Sequence, residues 1–177
     1  MDLENYRIQH TNNTLEVYDK NILKFSSAWY SGFGKFHTDV FNANQQIIYV
    51  VTKQFQFWKW RMVYQIKKND TVLSELISKN NKKTVFAIDV NEITYQIKIH
   101  FQDRLSIFKN GIKIAEFNEA CTKEDFAGKV KLLMLDKNDL EIAFLLYSCL
   151  KIGEQNRSSK SVITSQKQLE PNEDPWS

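Results

Sequence analysis

The sequence predicts a mainly β fold, a closed antiparallel β-barrel of about twelve strands that encloses a hydrophobic C-terminal α-helix. Three observations predict it. Residues 5–135 carry short alternating or β-branched runs separated by turn signals at intervals of roughly 8–12 residues, the spacing of a sandwich or barrel. Residues 140–152 are apolar except at Glu141, Ser148 and Lys151, and a helix that is hydrophobic nearly all round needs cover on nearly all sides. That segment is also too short to cross a bilayer, which takes about 20 apolar residues. A β wall wrapped around the helix satisfies both needs, and closing the wall removes exposed sheet edges. A helix is about 10–12 Å across with its side chains, so a wall of about a dozen strands is the expected size.

The elements follow in order. Residues 6–10 and 15–18 alternate or nearly so, with Asn12-Asn13 as the turn between them. Asp19-Lys20-Asn21 leads into residues 22–25, and residues 33–41 form the next strand before a turn at 42–45. Residues 47–51 are apolar and β-branched, as in a strand covered on both faces. From 57 to 67 the alternation is strict, with Trp58, Trp60, Met62, Tyr64 and Ile66 on one face and Lys59, Arg61, Val63, Gln65 and Lys67 on the other. The apolar partners of Trp58 and Trp60 place both indoles in the expected core. Strands at 72–77 and 85–90 are bounded by Lys68-Asn69-Asp70, Asn80-Asn81 and Asn91-Glu92. Residues 93–101 put Ile93, Tyr95, Ile97, Ile99 and Phe101 on one face, with Thr94, Gln96, Lys98 and His100 on the other. The strongest local signal is Asn110-Gly111 between 105–108 and 112–117, because Asn-Gly accepts the positive φ angles of a type I′ hairpin turn. A short helical turn is expected near 119–126 and a last strand at 130–135. Asn138 or Asp139 is the expected N-cap of a helix over 138–152. The barrel domain therefore covers 1–152. The polar segment 153–177 is expected to be a disordered tail with Trp176 as its aromatic anchor.

Composition narrows the function classes. The chain has 177 residues, 42% of them hydrophobic, enough for one substantial core. Five glycines and two prolines leave no glycine-rich phosphate loop, and Ser31-Gly-Phe-Gly34 reads as a bend because no helix start follows it. Of 24 basic and 21 acidic residues, Arg157, Lys160, Lys167, Glu154, Glu170, Glu173 and Asp174 fall in the tail, so the remainder carries about +4. A dedicated DNA-binding domain is more basic, and no nucleic-acid partner is expected. Cys121 and Cys149 lack the density of a disulfide scaffold or the paired spacing of a zinc site, and His10 and His100 are too scattered to complete one. The first residues show no basic-then-apolar leader, and no transmembrane span is expected. The expected location is the cytoplasm, peripheral at the inner membrane face.

The basic and aromatic stretch 53–61 is the leading site candidate. Lys59, Arg61 and Lys67 share one strand face, and Lys98 lies on the polar face of another strand. Were those strands neighbours, the four cations would form a patch for a phosphorylated head group, with Arg as a bidentate donor and Lys as a point charge. Lys79, Lys82 and Lys83 form a basic turn at a barrel rim. His37 and Asp39 share a strand face at i, i+2, as an oriented base would, but no nucleophile pairs with them by spacing.

The order of many strands, the Asn110-Gly111 hairpin and the late apolar helix at 140–152 resembles the tubby C-terminal-like superfamily over residues 5–152. That superfamily includes tubby proteins, phospholipid scramblases and the plant LURP-one-related proteins, and the likeness is to its small bacterial members. The resemblance implies a barrel of about a dozen strands around the helix, and contact with membrane or phosphoinositide. No site residue is taken from it. The leading functional expectation is a non-enzymatic binding module for anionic phospholipid or another phosphorylated ligand, acting through Lys59, Arg61, Lys67 and Lys98. Two alternatives stand beside it. One is a protein–protein interaction domain, with the tail at 153–177 as a docking element. The other is a lipocalin-like carrier whose barrel is hollow and whose helix caps it from outside. No catalytic set converges at any readable spacing, so no enzyme, metal or cofactor is expected.

Overall fold

The computed structural model describes residues 2–119, 129–154, 169 and 171–176. Twelve strands run β1 (Glu4–Thr11), β2 (Thr14–Asp19), β3 (Ile22–Gly32), β4 (Lys35–Asn42), β5 (Ile47–Gln56), β6 (Arg61–Lys68), β7 (Thr71–Ser78), β8 (Val85–Val90), β9 (Ile93–His100), β10 (Arg104–Lys109), β11 (Ile112–Asn118) and β12 (Lys129–Met134). Each pairs antiparallel with its sequence neighbour, and β12 pairs with β1, which closes the barrel. Helix α1 (Leu140–Lys151) follows a 3-10 turn at Lys137–Asp139.

Geometry explains why the helix fits. Twelve strands spaced about 4.8 Å apart and tilted about 40° give a wall roughly 24 Å across. A layer of inward side chains then leaves a space about the width of one helix. Ala143, Phe144, Leu145, Leu146 and Cys149 of α1 are completely buried. Phe144 stacks on Phe25 at 6.2 Å, and Tyr147 lies parallel to Phe117 at 4.3 Å. The three polar interruptions of the helix each meet a partner on the wall. Tyr49 donates its hydroxyl hydrogen bond to Glu141 at 2.6 Å, Ser27 and Ser148 share a hydrogen bond at 3.0 Å, and Lys151 reaches Glu119 at 2.8 Å. Buried polar groups are tolerated when paired in this way.

Among the described residues β3, β5, β7 and β11 bulge near one end of the barrel, with Lys24, Ile48, Leu73 and Ile114 as the extra residues. Bulges add local twist and bend, which a sheet needs in order to close. The Asn110-Gly111 turn has the expected positive φ angles, +48° and +84°. Open space surrounds the Gly111 Cβ direction, so Gly111→Ala meets only the backbone penalty of that φ. It should cost about 1–2 kcal/mol by urea unfolding, with the barrel retained.

Asp139 is the N-cap residue of α1, one of the two positions expected, but its carboxylate pairs with Lys109 at 2.7 Å and makes no cap hydrogen bond; Asp136 caps the preceding 3-10 turn by accepting from the Asn138 N–H at 2.9 Å. One local expectation is corrected. The strand read over 57–67 is broken: Phe57–Lys59 is a 3-10 turn, Trp60 is left-handed, and β6 starts only at Arg61. Because Gln56 pairs with Arg61, residues 57–60 must turn the chain. Cys121 and most of the turn expected at 119–126 lie outside the described residues, as do 155–168 of the tail. Residues 171–176 lie against β10 and β11.

Candidate functional site at the barrel rim

Up-and-down connectivity sends alternate hairpins to opposite ends. The end reached by the last residues of α1 carries the turns at 12–13, 33–34, 57–60, 79–84 and 101–103. The opposite end carries those at 20–21, 43–46, 69–70, 91–92 and 110–111. The two ends differ in their exposed apolar side chains. Ile22, Ile47, Val72 and Ile112 project at the second end. Every large aromatic residue exposed among the described residues lies at the first: Tyr30, Phe33, Phe36, Phe55, Phe57, Trp58, Trp60 and Phe101.

The 57–60 turn is the centre of this aromatic rim. Phe57, Trp58 and Trp60 are 69%, 80% and 56% exposed. Phe55, Phe57 and Trp60 meet edge to face at 5.4–6.4 Å between ring centroids. The Trp60 N–H donates to the Phe57 carbonyl at 3.1 Å, which holds Trp60 at φ +50°. The two Trp residues expected in the core therefore face outward. The sequence pattern misleads because the turn contains no Gly, Pro, Asn or Asp.

Backbone conformation singles out the same rim. Among the described residues, thirteen non-glycine residues have positive φ; eleven are polar, and the other two are Phe33 and Trp60, both at hairpin tips of this end. Bulky side chains are disfavoured there relative to Asn or Gly. Phe33 is fully exposed, so burial in the fold does not offset that cost.

Cations surround the aromatic residues. Lys59 lies inside the 57–60 turn, and Arg61 donates from Nε to Gln56 Oε1 at 2.7 Å. Lys83 sits 4.6 Å from the Phe55 ring centroid, which ties the 79–84 loop to the aromatic cluster. Asn80 shapes that loop: its Oδ1 accepts from the Thr84 N–H at 3.0 Å and its Nδ2 donates to Thr84 Oγ1 at 2.7 Å. Lys79 and Lys82 belong to the same loop, and Lys35 follows the Phe33-Gly34 turn. Inside the mouth, Lys53 donates to the Ile152 carbonyl at 2.7 Å and Trp29 Nε1 to the Glu154 carbonyl at 3.1 Å. Burial pulls the Lys53 ammonium below its ordinary pKa. These two bonds fasten the exit of the helix to the rim.

The four cations proposed from sequence do not meet. Lys59 and Arg61 are together at the rim. Lys67 is six residues further along β6, about 20 Å away toward the other end. Lys98 is on β9, three strands from β6, with its ammonium 4.9 Å from the Phe108 ring centroid. The polar positions His37 and Asp39 on β4 share one face, as expected, and Tyr30 touches both. His37 Nδ1 is 3.1 Å from Thr52 Oγ1 and its ring stacks on Tyr30, while the Tyr30 hydroxyl donates to Asp39 at 3.4 Å. Burial raises the Asp39 carboxyl above its ordinary range.

Among the described residues no group of three His, Cys, Asp or Glu side chains could hold a metal ion. No helix among them is long and apolar enough to cross a membrane. No family model matches the chain, and neither a curated protein nor a solved structure matches it.

Proposed function

We propose that this barrel is a non-enzymatic module that docks on anionic phospholipid surfaces through its aromatic and cationic rim. The observation that carries this reading is the segregation of exposed aromatic side chains to one end, two of them at turn positions where an aromatic residue costs backbone energy. Rings of this kind suit the interfacial layer of a bilayer, where an apolar body and a polar edge are both accommodated. Lys59, Lys79, Lys82 and Lys83, with Arg61, supply the attraction to phosphate. Near an anionic surface each basic residue is worth about 1 kcal/mol. The cytoplasmic leaflet, rich in anionic lipid, is the proposed place of action. The resemblance of the element order to that of the tubby-like superfamily is in keeping with this reading. A carrier role loses its basis, because α1 occupies the space a carried ligand would need.

Pelleting with vesicles tests the proposal. Vesicles containing phosphatidylserine should retain the protein, and pure phosphatidylcholine vesicles should not. The triple variant Lys59→Glu, Lys79→Glu, Lys83→Glu should bind about 100-fold more weakly, from about 1 kcal/mol per lost cation. Lys20→Glu, at the opposite end, should bind as wild type. Equal retention by both vesicle types, or undiminished binding by the triple variant, overturns the reading.

A further inference from the structure

Glu116 lies on β11 between Ala115 and Phe117, which point into the core, so its carboxylate is on the outside of the wall. A carboxylate there is ordinarily solvated, yet Glu116 is 1% exposed. Four donors converge on it. Arg104 Nη1 reaches Oε1 at 2.6 Å, and Lys113 Nζ reaches Oε2. The others come from the segment 171–176: Asn172 Nδ2 at 3.2 Å and the Trp176 backbone N–H at 3.3 Å. Burial alone would raise the Glu116 carboxyl, but the bonds from Lys113, Asn172 and Arg104 outweigh it and hold the group below its ordinary pKa.

Lys113 reads the same segment from the other side. It donates to the Asp174 carbonyl, lies 3.4 Å from Asn172 Oδ1 and sits 4.8 Å from the Trp176 ring centroid. The indole N–H of Trp176 in turn donates to Asp174 Oδ2 at 3.3 Å. A hollow of about 360 Å³ between Phe101, Gln102, Arg104, Asn172 and Pro175 continues the seam. The wall thus checks an amide side chain, a backbone carbonyl, a backbone N–H and an aromatic face, each at a set offset. Simple apolar collapse needs none of these. A buried carboxylate with two cations costs desolvation energy unless further hydrogen bonds complete it, and the segment supplies them.

We propose that the β10–β11 outer wall is a docking site for short peptides of the pattern Asn-x-Asp-Pro-Trp, and that the chain's own 171–176 segment is its resident competitor. A tethered segment acts at an effective concentration in the millimolar range, so a site of modest intrinsic affinity stays filled in cis and opens only to a better or more abundant ligand. This inference does not rest on the membrane reading: its polar contacts are with Arg104, Lys113 and Glu116 of the wall, although Phe101 borders both surfaces.

The probe is a fluorescent peptide of residues 169–177, titrated by anisotropy into three full-length proteins. The double variant Asn172→Ala, Trp176→Ala weakens the resident and should bind the peptide at least tenfold more tightly than wild type. Adding Glu116→Gln to that variant should remove the gain. A double variant that keeps its circular dichroism and unfolding midpoint but does not bind, or a wild type that binds equally well, overturns the proposal. Wild-type protein gives an independent arm: millimolar unlabelled peptide should shift the ¹⁵N resonances of residues 171–176 to free-peptide positions, and unchanged resonances overturn it. A concentration-dependent dimer of wild type, abolished by Glu116→Gln, would instead assign the wall to a second copy and overturn the partner-peptide reading.

Discussion

Phe144→Ala is expected to lower the unfolding free energy by about 3–5 kcal/mol, at the upper end of large-to-small core substitutions. Phe144 is completely buried at the centre of α1 and stacks on Phe25 of the wall. The cost of such a truncation depends on how far the surroundings can close over the hole. Here the surroundings are a ring of strands, each hydrogen-bonded to two neighbours. One strand cannot move inward without straining both pairings, so the cavity should persist. Urea unfolding measures the change. Tyr147→Phe provides the contrast. It keeps the stack on Phe117 and loses only the hydrogen bond to Glu119, which Lys151 still engages, so about 1 kcal/mol is expected. A loss below about 1.5 kcal/mol for Phe144→Ala, at unchanged denaturant dependence, would mean that the ring relaxes inward and that the helix is a loose filling.

The fold was legible because its signals are local and redundant. Alternation in residues 93–101 requires one buried face, and Tyr95 and Ile97 are buried, but the pattern fails where β9 ends: His100 is buried and Phe101 is exposed in the turn. Asn110-Gly111 admits few conformations besides the tight hairpin it forms. The helix at 140–151 announced its surroundings by lacking a polar side. The rim was less legible. Residues 57–60 continue the period of β6, and only the pairing of Gln56 with Arg61 shows that they are a turn. Periodicity reports which residues share a face only while the backbone stays extended. Lys59, Arg61, Lys67 and Lys98 were grouped by strand face, but their separation along β6 and across β7 and β8 depends on register and strand order. The burial of Glu116 depends on contacts with Asn172 and Trp176, 56 and 60 residues away in sequence. One trace was present: Trp176 is an aromatic residue in a polar segment, and an isolated anchor of this kind marks a segment with something to hold.

Replacing three rim aromatics, as Phe33→Asn, Trp58→Ala and Trp60→Asn, should weaken vesicle binding by about 100-fold or more while leaving the fold as stable as before or slightly more so. The two effects have opposite signs for a physical reason. Full burial of a large apolar side chain is worth about 1.5–3 kcal/mol, and partial insertion of three such groups gives about 3 kcal/mol or more. In the free protein Phe33 and Trp58 contribute little to folding, and Trp60 contributes only its edge contacts with the exposed rings of Phe55 and Phe57. Phe33 is fully exposed and the 57–59 turn has no buried residue. Asn suits positive φ better than Phe or Trp, so each Asn substitution should recover some of the roughly 1 kcal/mol that the left-handed backbone costs. Salt then separates the aromatic contribution from the cationic one. At about 1 M salt the screening length falls to about 3 Å, and charge attraction to the membrane is largely lost. The deficit of the Lys59, Lys79, Lys83 charge variant should shrink toward wild type under those conditions, whereas the deficit of the aromatic variant should persist. Unfolding midpoints and vesicle titrations at both salt concentrations supply the measurements. If the aromatic variant unfolds earlier than wild type, the rim rings are structural. If it folds as well and binds as well, the exposed aromatic end serves some purpose other than a membrane.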